Sequence, residues 1–231
     1  MSITILFLLV PIGAIISIAA KVDGQALVGG QRDRRGLRHG PSSLPAATIG
    51  LGVFLAVVSS LFALFISAYF MRMQVADWVQ LPAPKLLWFN TGVLILSSVA
   101  LQYAHVAARR GRIEGVRDGL IVGGLFALTF LVAQLFAWRQ LNAAGFFLAA
   151  NPGNAFFYLF TGLHGLHLLG GLVALARAIE KVWRGKLGQV RLSVQLCAIY
   201  WHFLLALWLV LFSLLTPWVG EFAVICRQFL I

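Results

Sequence analysis

Six stretches of this chain run for twenty residues or more without a single Asp, Glu, Lys or Arg: 1–20, 39–71, 86–108, 119–138, 140–176 and 192–220. A helix needs about 20 apolar residues to cross the hydrocarbon core of a bilayer, so each stretch is long enough for one span. The rest of the composition agrees. A soluble domain carries about 25% charged residues, whereas this 231-residue chain carries 11% and is 61% hydrophobic. It has too few charges to clothe a globular surface, is too apolar to be disordered, and its 23 Gly and 7 Pro show no collagen-like period. An all-α integral membrane protein remains.

The longest stretch contains Asn151-Pro152-Gly153-Asn154, a turn signal, so Leu141 to Asn154 is expected to be a loop. The spacing predicts six helices, over 2–20, 46–71, 86–108, 119–141, 155–178 and 192–216. Fourteen of the eighteen Lys and Arg fall in the segments 21–45, 109–118 and 177–191, and four fall elsewhere. The positive-inside rule places those three loops in the cytoplasm and both termini outside. The excess of positive charge, a net +11, is thereby explained as a topology code with some attraction for anionic headgroups, and nucleic acid is not needed as a partner. No positive region precedes the first apolar run, which argues against a cleaved signal peptide despite Ile18-Ala19-Ala20. Pro11 is expected to kink that helix. The expected organisation is an N-terminal transmembrane helix over 1–20, a basic cytoplasmic linker over 21–45, a five-helix membrane domain over 46–218 and an outward tail over 219–231.

Polar residues inside the spans are costly and usually face protein. Asn90 and Thr91 read as an end cap and an interhelical hydrogen bond, and Gln134 as an amide bonding a neighbouring helix. His164 and His167 are three residues apart and share a helix face. With His202, at a similar estimated depth, they could form a metal or haem ligand set; the competing reading is hydrogen-bonded packing histidines. Gly162 and Gly165 are expected to let another helix approach closely, with Gly170, Ala174 and Ala178 continuing the small-residue stripe. No Asp or Glu lies inside the last five spans. There is therefore no carboxylate pair for acid–base work, and no Walker A, dinucleotide fingerprint or HExxH motif. Cys197 and Cys226 form no ligand-spaced set.

Four motifs, one per helix and in order over about 46–218, carry a resemblance. The run Phe156-Phe157-Tyr158-Leu159-Phe160-Thr161-Gly162-Leu163-His164-Gly165-Leu166-His167 resembles the FFxxTGxHGxH signature of haem-copper oxidase subunit III. Tyr200-Trp201-His202-Phe203 with Trp208-Leu209 resembles its YWHFxDxxWL signature. Leu87 to Ser98 is similar to its LLNTxxLLxSS segment, and Leu131-Val132-Ala133-Gln134 to its LLQ. The resemblance implies a five-helix bundle; the helix expected over 2–20 lies outside the match and adds one N-terminal span, for six transmembrane helices in all. The resemblance also implies a non-catalytic subunit of an aa3-type cytochrome c oxidase that packs on subunits I and II in a bacterial inner membrane.

By the same resemblance the chain holds no cofactor. Haem and copper sit on the partner subunits, with cytochrome c or quinol as donor to the complex. Phospholipid is held in a cleft between the first helices and the rest, and the subunit supports proton uptake and stability of the oxygen-reducing core. Asn90, Thr91, Gln134, Thr161, Gly162, His164, Gly165, His167, Tyr200, Trp201, His202 and Trp208 are its structural motif residues. Two departures stand out. Val58-Ser59-Ser60 occupies the place where the family often has a buried Glu, and Leu205 replaces the Asp of YWHFxD. Alternatives are the same subunit of a quinol oxidase, a subunit-III-like protein of nitric oxide reductase, a small transporter, or an assembly scaffold.

Overall fold

The structure is a computed structural model. It describes residues 46–79, 85–184 and 187–216, without the side chains of 187–189. The chain divides into two compact units, Met1–Ser67 and Ala68–Ile231. All regular structure among the described residues is helical: α1 Ala46–Arg72, α2 Leu86–Arg109, α3 Ile113–Ala143, α4 Pro152–Trp183 and α5 Leu187–Leu215. All five are long and apolar enough to cross a membrane. The helix expected over 2–20, the linker over 21–45 and the tail over 219–231 lie outside the described residues.

In the first unit, the described segment 46–67 is α1. Its Ser59 and Ser60 hydroxyls donate to the carbonyl oxygens of Leu55 and Ala56, one turn back, at 2.8 and 2.9 Å. The two hydroxyls are thus satisfied inside their own helix.

In the second unit, α2 packs on α3 and α5, and α4 packs on the same two helices, closing a ring of four. Neighbours run antiparallel. Along the α2–α5 seam, Trp88 meets Phe212, Thr91 meets Trp208 and Ser97 meets Trp201, one number rising as the other falls. The closest approach of one helix backbone to another is between α2 and α3. A Cβ added to Gly119 would lie 2.8 Å from Ala104 Cβ and 2.9 Å from the Ala100 carbonyl oxygen. One at Gly123 would lie 2.9 Å from Leu101 Cγ, and one at Gly115 3.1 Å from Ala107 Cβ. Gly115, Gly119 and Gly123 are four apart, so all three stand on one face of α3, and backbone can meet backbone there. On α4, a Cβ added to Gly153 would lie 2.5 Å from the Val79 carbonyl oxygen, and one added to Gly171, farther along the helix, 2.7 Å from the Tyr200 ring. This corrects the expectation for Gly162 and Gly165. Added Cβ atoms there would make ordinary contacts with Trp138 and Leu131 side chains at 3.5 and 3.6 Å, and one at Gly170 would meet nothing.

Each described helix is longer than the span predicted for it. α3 begins at Ile113, not 119, and only Arg110 to Arg112 separate it from α2. Gly111, with φ 71°, makes that turn. A charge-free run marks the part of a helix in hydrocarbon, whereas the helix itself continues into the headgroups, where Glu114, Arg117 and Asp118 are exposed. At 24 to 32 residues, α2 and α4 would span about 36–48 Å, more than the roughly 30 Å of hydrocarbon. Likewise α4 starts at Pro152, not 155. Asn151 is its N-cap, accepting from Gly153 N–H at 2.8 Å, with Pro152 in the first position. The loop is therefore 144–151 rather than 141–154. Beyond α1, Arg72 grips Asp77 with both guanidinium NH₂ groups at 2.8 and 2.6 Å. That hydrogen bond and the adjacent positive charge hold the exposed Asp77 carboxyl below its usual range.

Two outcomes are expected. Gly119→Ala should destabilise the purified protein by about 1–3 kcal/mol in detergent melting, whereas Gly170→Ala should be neutral or slightly stabilising; equal effects would contradict the close α2–α3 contact. The Asp77 carboxyl should titrate by NMR below the 3.8 of an unperturbed aspartate. Its pKa is lowered on folding, so its small contribution is present above the unfolded value and is lost as pH falls through the folded one. A midpoint at or above 3.8 would mean that the ion pair is absent in solution.

Candidate functional site

The buried polar groups of the second unit are neutral, and most are joined in short relays. Among the described residues no Asp, Glu, Lys or Arg is buried. Three tryptophans of the bundle each give their indole N–H to a hydroxyl on another helix, and each hydroxyl donates onward to a main-chain carbonyl. Trp208 on α5 donates to Thr91 Oγ1 at 3.0 Å, and Thr91 to the Leu87 carbonyl at 2.9 Å. Trp201 donates to Ser97 Oγ at 2.9 Å, and Ser97 crosses to the Gly123 carbonyl on α3 at 2.7 Å. Trp138 on α3 donates to Thr161 Oγ1 on α4 at 3.0 Å, and Thr161 to the Phe157 carbonyl at 2.7 Å. An indole has one donor and no acceptor, and a hydroxyl has one donor and room for two incoming bonds. The Trp–Ser or Trp–Thr pair therefore hides all its polarity and leaves a large apolar ring to pack.

Side-chain amides and phenols complete the pattern. Asn90 Nδ2 on α2 donates to Gln134 Oε1 on α3 at 2.8 Å, leaving Asn90 Oδ1 and Gln134 Nε2 without a partner among the described residues. Tyr200 OH donates to the His167 carbonyl at 2.8 Å. Near the 144–151 loop, Tyr158 OH reaches Asn142 Oδ1 and the Phe146 carbonyl at 3.0 and 3.1 Å. Tyr69, at the end of α1 within the second unit, donates to the Leu214 carbonyl at 3.1 Å.

The histidines are not drawn into one cluster. His164 is 0% exposed, with its ring centroid 5.1 Å from that of Trp208 and 5.7 Å from that of Phe130. Neither of its nitrogens has a hydrogen-bond partner among the described residues. His167 and His202 are half-buried, and each places Nδ1 against the carbonyl of the residue four back, at 2.7 and 2.6 Å. His105 has Arg109 and His202 as titratable neighbours, and His164 has His167. Among the described residues no three His, Cys, Asp or Glu side chains group as a metal site. The three-histidine ligand set raised by depth and spacing is therefore not assembled. What the buried arrangement offers chemically is cohesion, as it carries no base–acid pair.

Of the twelve motif residues, Asn90, Thr91, Gln134, Thr161, His164, Tyr200, Trp201 and Trp208 are buried, while Gly162, Gly165, His167 and His202 are half-buried. The bundle brings His164 and Trp208 together around Phe130, with Thr91 bonded to Trp208, and it joins Asn90 to Gln134.

Comparison with known proteins decides the kinship. The family model described as Cytochrome c oxidase subunit III matches residues 46–220. The chain belongs to the cytochrome c oxidase subunit III family. A probable cytochrome c oxidase subunit 3 from Mycobacterium bovis is 33% identical over 126 residues, 54% of this chain and 62% of that protein. The match therefore spans a little under two thirds of that relative's length. The cytochrome c oxidase subunit 3 of Thermostichus vulcanus is 31% identical over 179 residues, 72% of this chain and 85% of its own. A probable cytochrome c oxidase subunit 3 from Mycobacterium leprae is 28% identical over 173 residues, 73% of this chain and 86% of that protein.

Within this subunit III family member, sequence reasoning missed Ser97, Trp138 and the Gly115–Gly119–Gly123 face. The glycine spacing was a visible signal. Ser97 gave none beyond its place in the motif, because a lone serine in a span most often bonds its own helix.

Ser97→Ala orphans both the Trp201 N–H and a bond to the Gly123 carbonyl, and should lower stability by about 1–3 kcal/mol. Trp201→Phe added to Ser97→Ala should bring less than its own separate loss; additive losses in detergent melting would show that the two side chains do not interact. His164→Phe removes two unbonded nitrogens while keeping a ring, and should melt at or above wild type, whereas His164→Ala should lose about 2–4 kcal/mol through its cavity. A sharp fall for His164→Phe would reveal a bonded imidazole.

Proposed function

We propose that this chain is a non-catalytic subunit III of a respiratory haem-copper terminal oxidase of the aa3 type. In this reading it packs on subunit I beside subunit II in a bacterial inner membrane, with both termini outward. It binds phospholipid and supports proton uptake and the working lifetime of the oxygen-reducing core. Haem and copper belong to the partner subunits, and cytochrome c is the donor to the complex. The observation that carries this reading is the family match over 46–220 on a bundle whose buried polar groups are neutral. A subunit that stabilises another needs a rigid, uncharged body and an apolar outer face, and large apolar side chains such as Trp88, Leu96, Val99, Leu125 and Phe136 stand on the outside of α2 and α3. Any part in proton uptake would be indirect, since Ser59, Ser60 and Leu205 supply no carboxylate.

Affinity purification of the tagged chain from its native membrane tests this. A haem-copper subunit I and a subunit II should co-purify in equal amounts, and the copper content of subunit II should identify the donor as cytochrome c. Recovery of the free chain alone, or a Soret band at 1:1 on the chain expressed without partners, would overturn the proposal. A subunit II lacking copper would replace cytochrome c with quinol, and a catalytic subunit with non-haem iron would replace the oxidase with a nitric oxide reductase.

A further inference from the structure

A cavity of about 420 Å³ opens at the end of the four-helix ring where α2 and α4 finish and α3 and α5 begin. Its polar wall holds Arg112 and Arg191, and its apolar wall Ile113, Val116, Val182 and Val190. The three valines are buried in the bundle. Both arginines are exposed, and neither makes an ion pair or side-chain hydrogen bond among the described residues. Arg112 is also the N-cap residue of α3, and its side chain makes no capping bond. The first turn of that helix thus keeps its amide donors for another acceptor. The surroundings are strongly positive. The segments 109–118 and 177–191 hold nine Lys and Arg against Glu114, Asp118 and Glu180, and Glu180 is already paired with Arg184.

We propose that this cavity is a binding site for an anionic phospholipid, with the phosphodiester between Arg112 and Arg191 and the glycerol and upper acyl chain along the valine wall. Two arginines without an ion-pair partner among the described residues call for an anion. A soluble anion would leave the valine and isoleucine wall in water, and a neutral lipid would leave the arginines unmatched. The helix ends lie where headgroups meet hydrocarbon, and there one amphiphile answers both walls. A volume of this size suits a headgroup and glycerol. The site is formed entirely within the second unit and does not rest on the oxidase role; it rests on the helices spanning a membrane.

Native mass spectrometry of the full chain, released from detergent and titrated with phosphatidylglycerol or phosphatidylcholine, tests the site. Phosphatidylglycerol should bind about tenfold more tightly, as expected for basic residues facing an anionic headgroup. Arg112→Gln with Arg191→Gln should bring the two lipids level, whereas Arg177→Gln, an exposed arginine outside the cavity, should leave the preference intact. Val182→Phe should weaken phosphatidylglycerol without altering charge, and inorganic phosphate should not displace the lipid. Circular dichroism and melting confirm that each variant is folded. The proposal falls if wild type shows no preference, if the double variant keeps it, or if Arg177→Gln loses as much, which would mean a diffuse field. Displacement by phosphate alone would also overturn it, making this a simple anion site.

Discussion

An indole N–H buried in a membrane interior needs an acceptor, and this bundle gives Trp138, Trp201 and Trp208 each a hydroxyl on the facing helix. The rest of the second unit follows from that constraint. Trp201 and Trp208 fix the register of α5 on α2, because Ser97 and Thr91 must lie opposite them. Ser97 then ties the pair to α3 through the Gly123 carbonyl, a bond that needs α2 and α3 close enough for Gly119 to meet Ala104. Trp138 and Thr161 repeat the device between α3 and α4. Each relay is worth only about 1 kcal/mol net. Its larger effect is selective: a slipped register would strand a donor in a medium with no water to accept it.

The middle of the bundle shows the same economy of charge. Acidic and basic side chains stay at the helix ends, while Phe130, His164 and Trp208 fill the centre ring against ring. An unbonded imidazole in that position is tolerable as a neutral aromatic of suitable shape. It stands in the density of the core as a packing group, and its polarity is the one part that the surrounding side chains do not use.

Much of this was legible in the sequence. The five described spans follow from charge-free length alone, since hydrocarbon excludes charge. Asn90, Gln134, Thr161 and the two late tryptophans were visible as polar or amphipathic groups at costly depths. Their partners were not, because a sequence states depth but not which helix faces which. The helix ends were also misplaced: Arg117 and Asp118 ended a charge-free run without ending α3, and Asn151-Pro152 looks like a turn although it is the cap and first residue of α4. The glycine contacts are hidden for a related reason: Gly170, Ala174 and Ala178 recur every four residues just as Gly115, Gly119 and Gly123 do, and spacing does not state which helix face meets a neighbour.

The three-residue turn between α2 and α3 has a bearing on how the chain enters the bilayer. Asn90 and Gln134 lie far from that turn on adjacent helices, yet they bond each other. A hairpin that zips along Gly115, Gly119 and Gly123 can bury this amide pair before any later helix is synthesised, using contacts that are local in sequence. Thr91 and Ser97 have no such early match for their lone pairs; they wait for α5, the last of the described helices. The order of synthesis therefore runs from an amide pair formed within one hairpin to hydroxyls that Trp201 and Trp208 complete, and the docking of α5 is the step that these aromatic donors check.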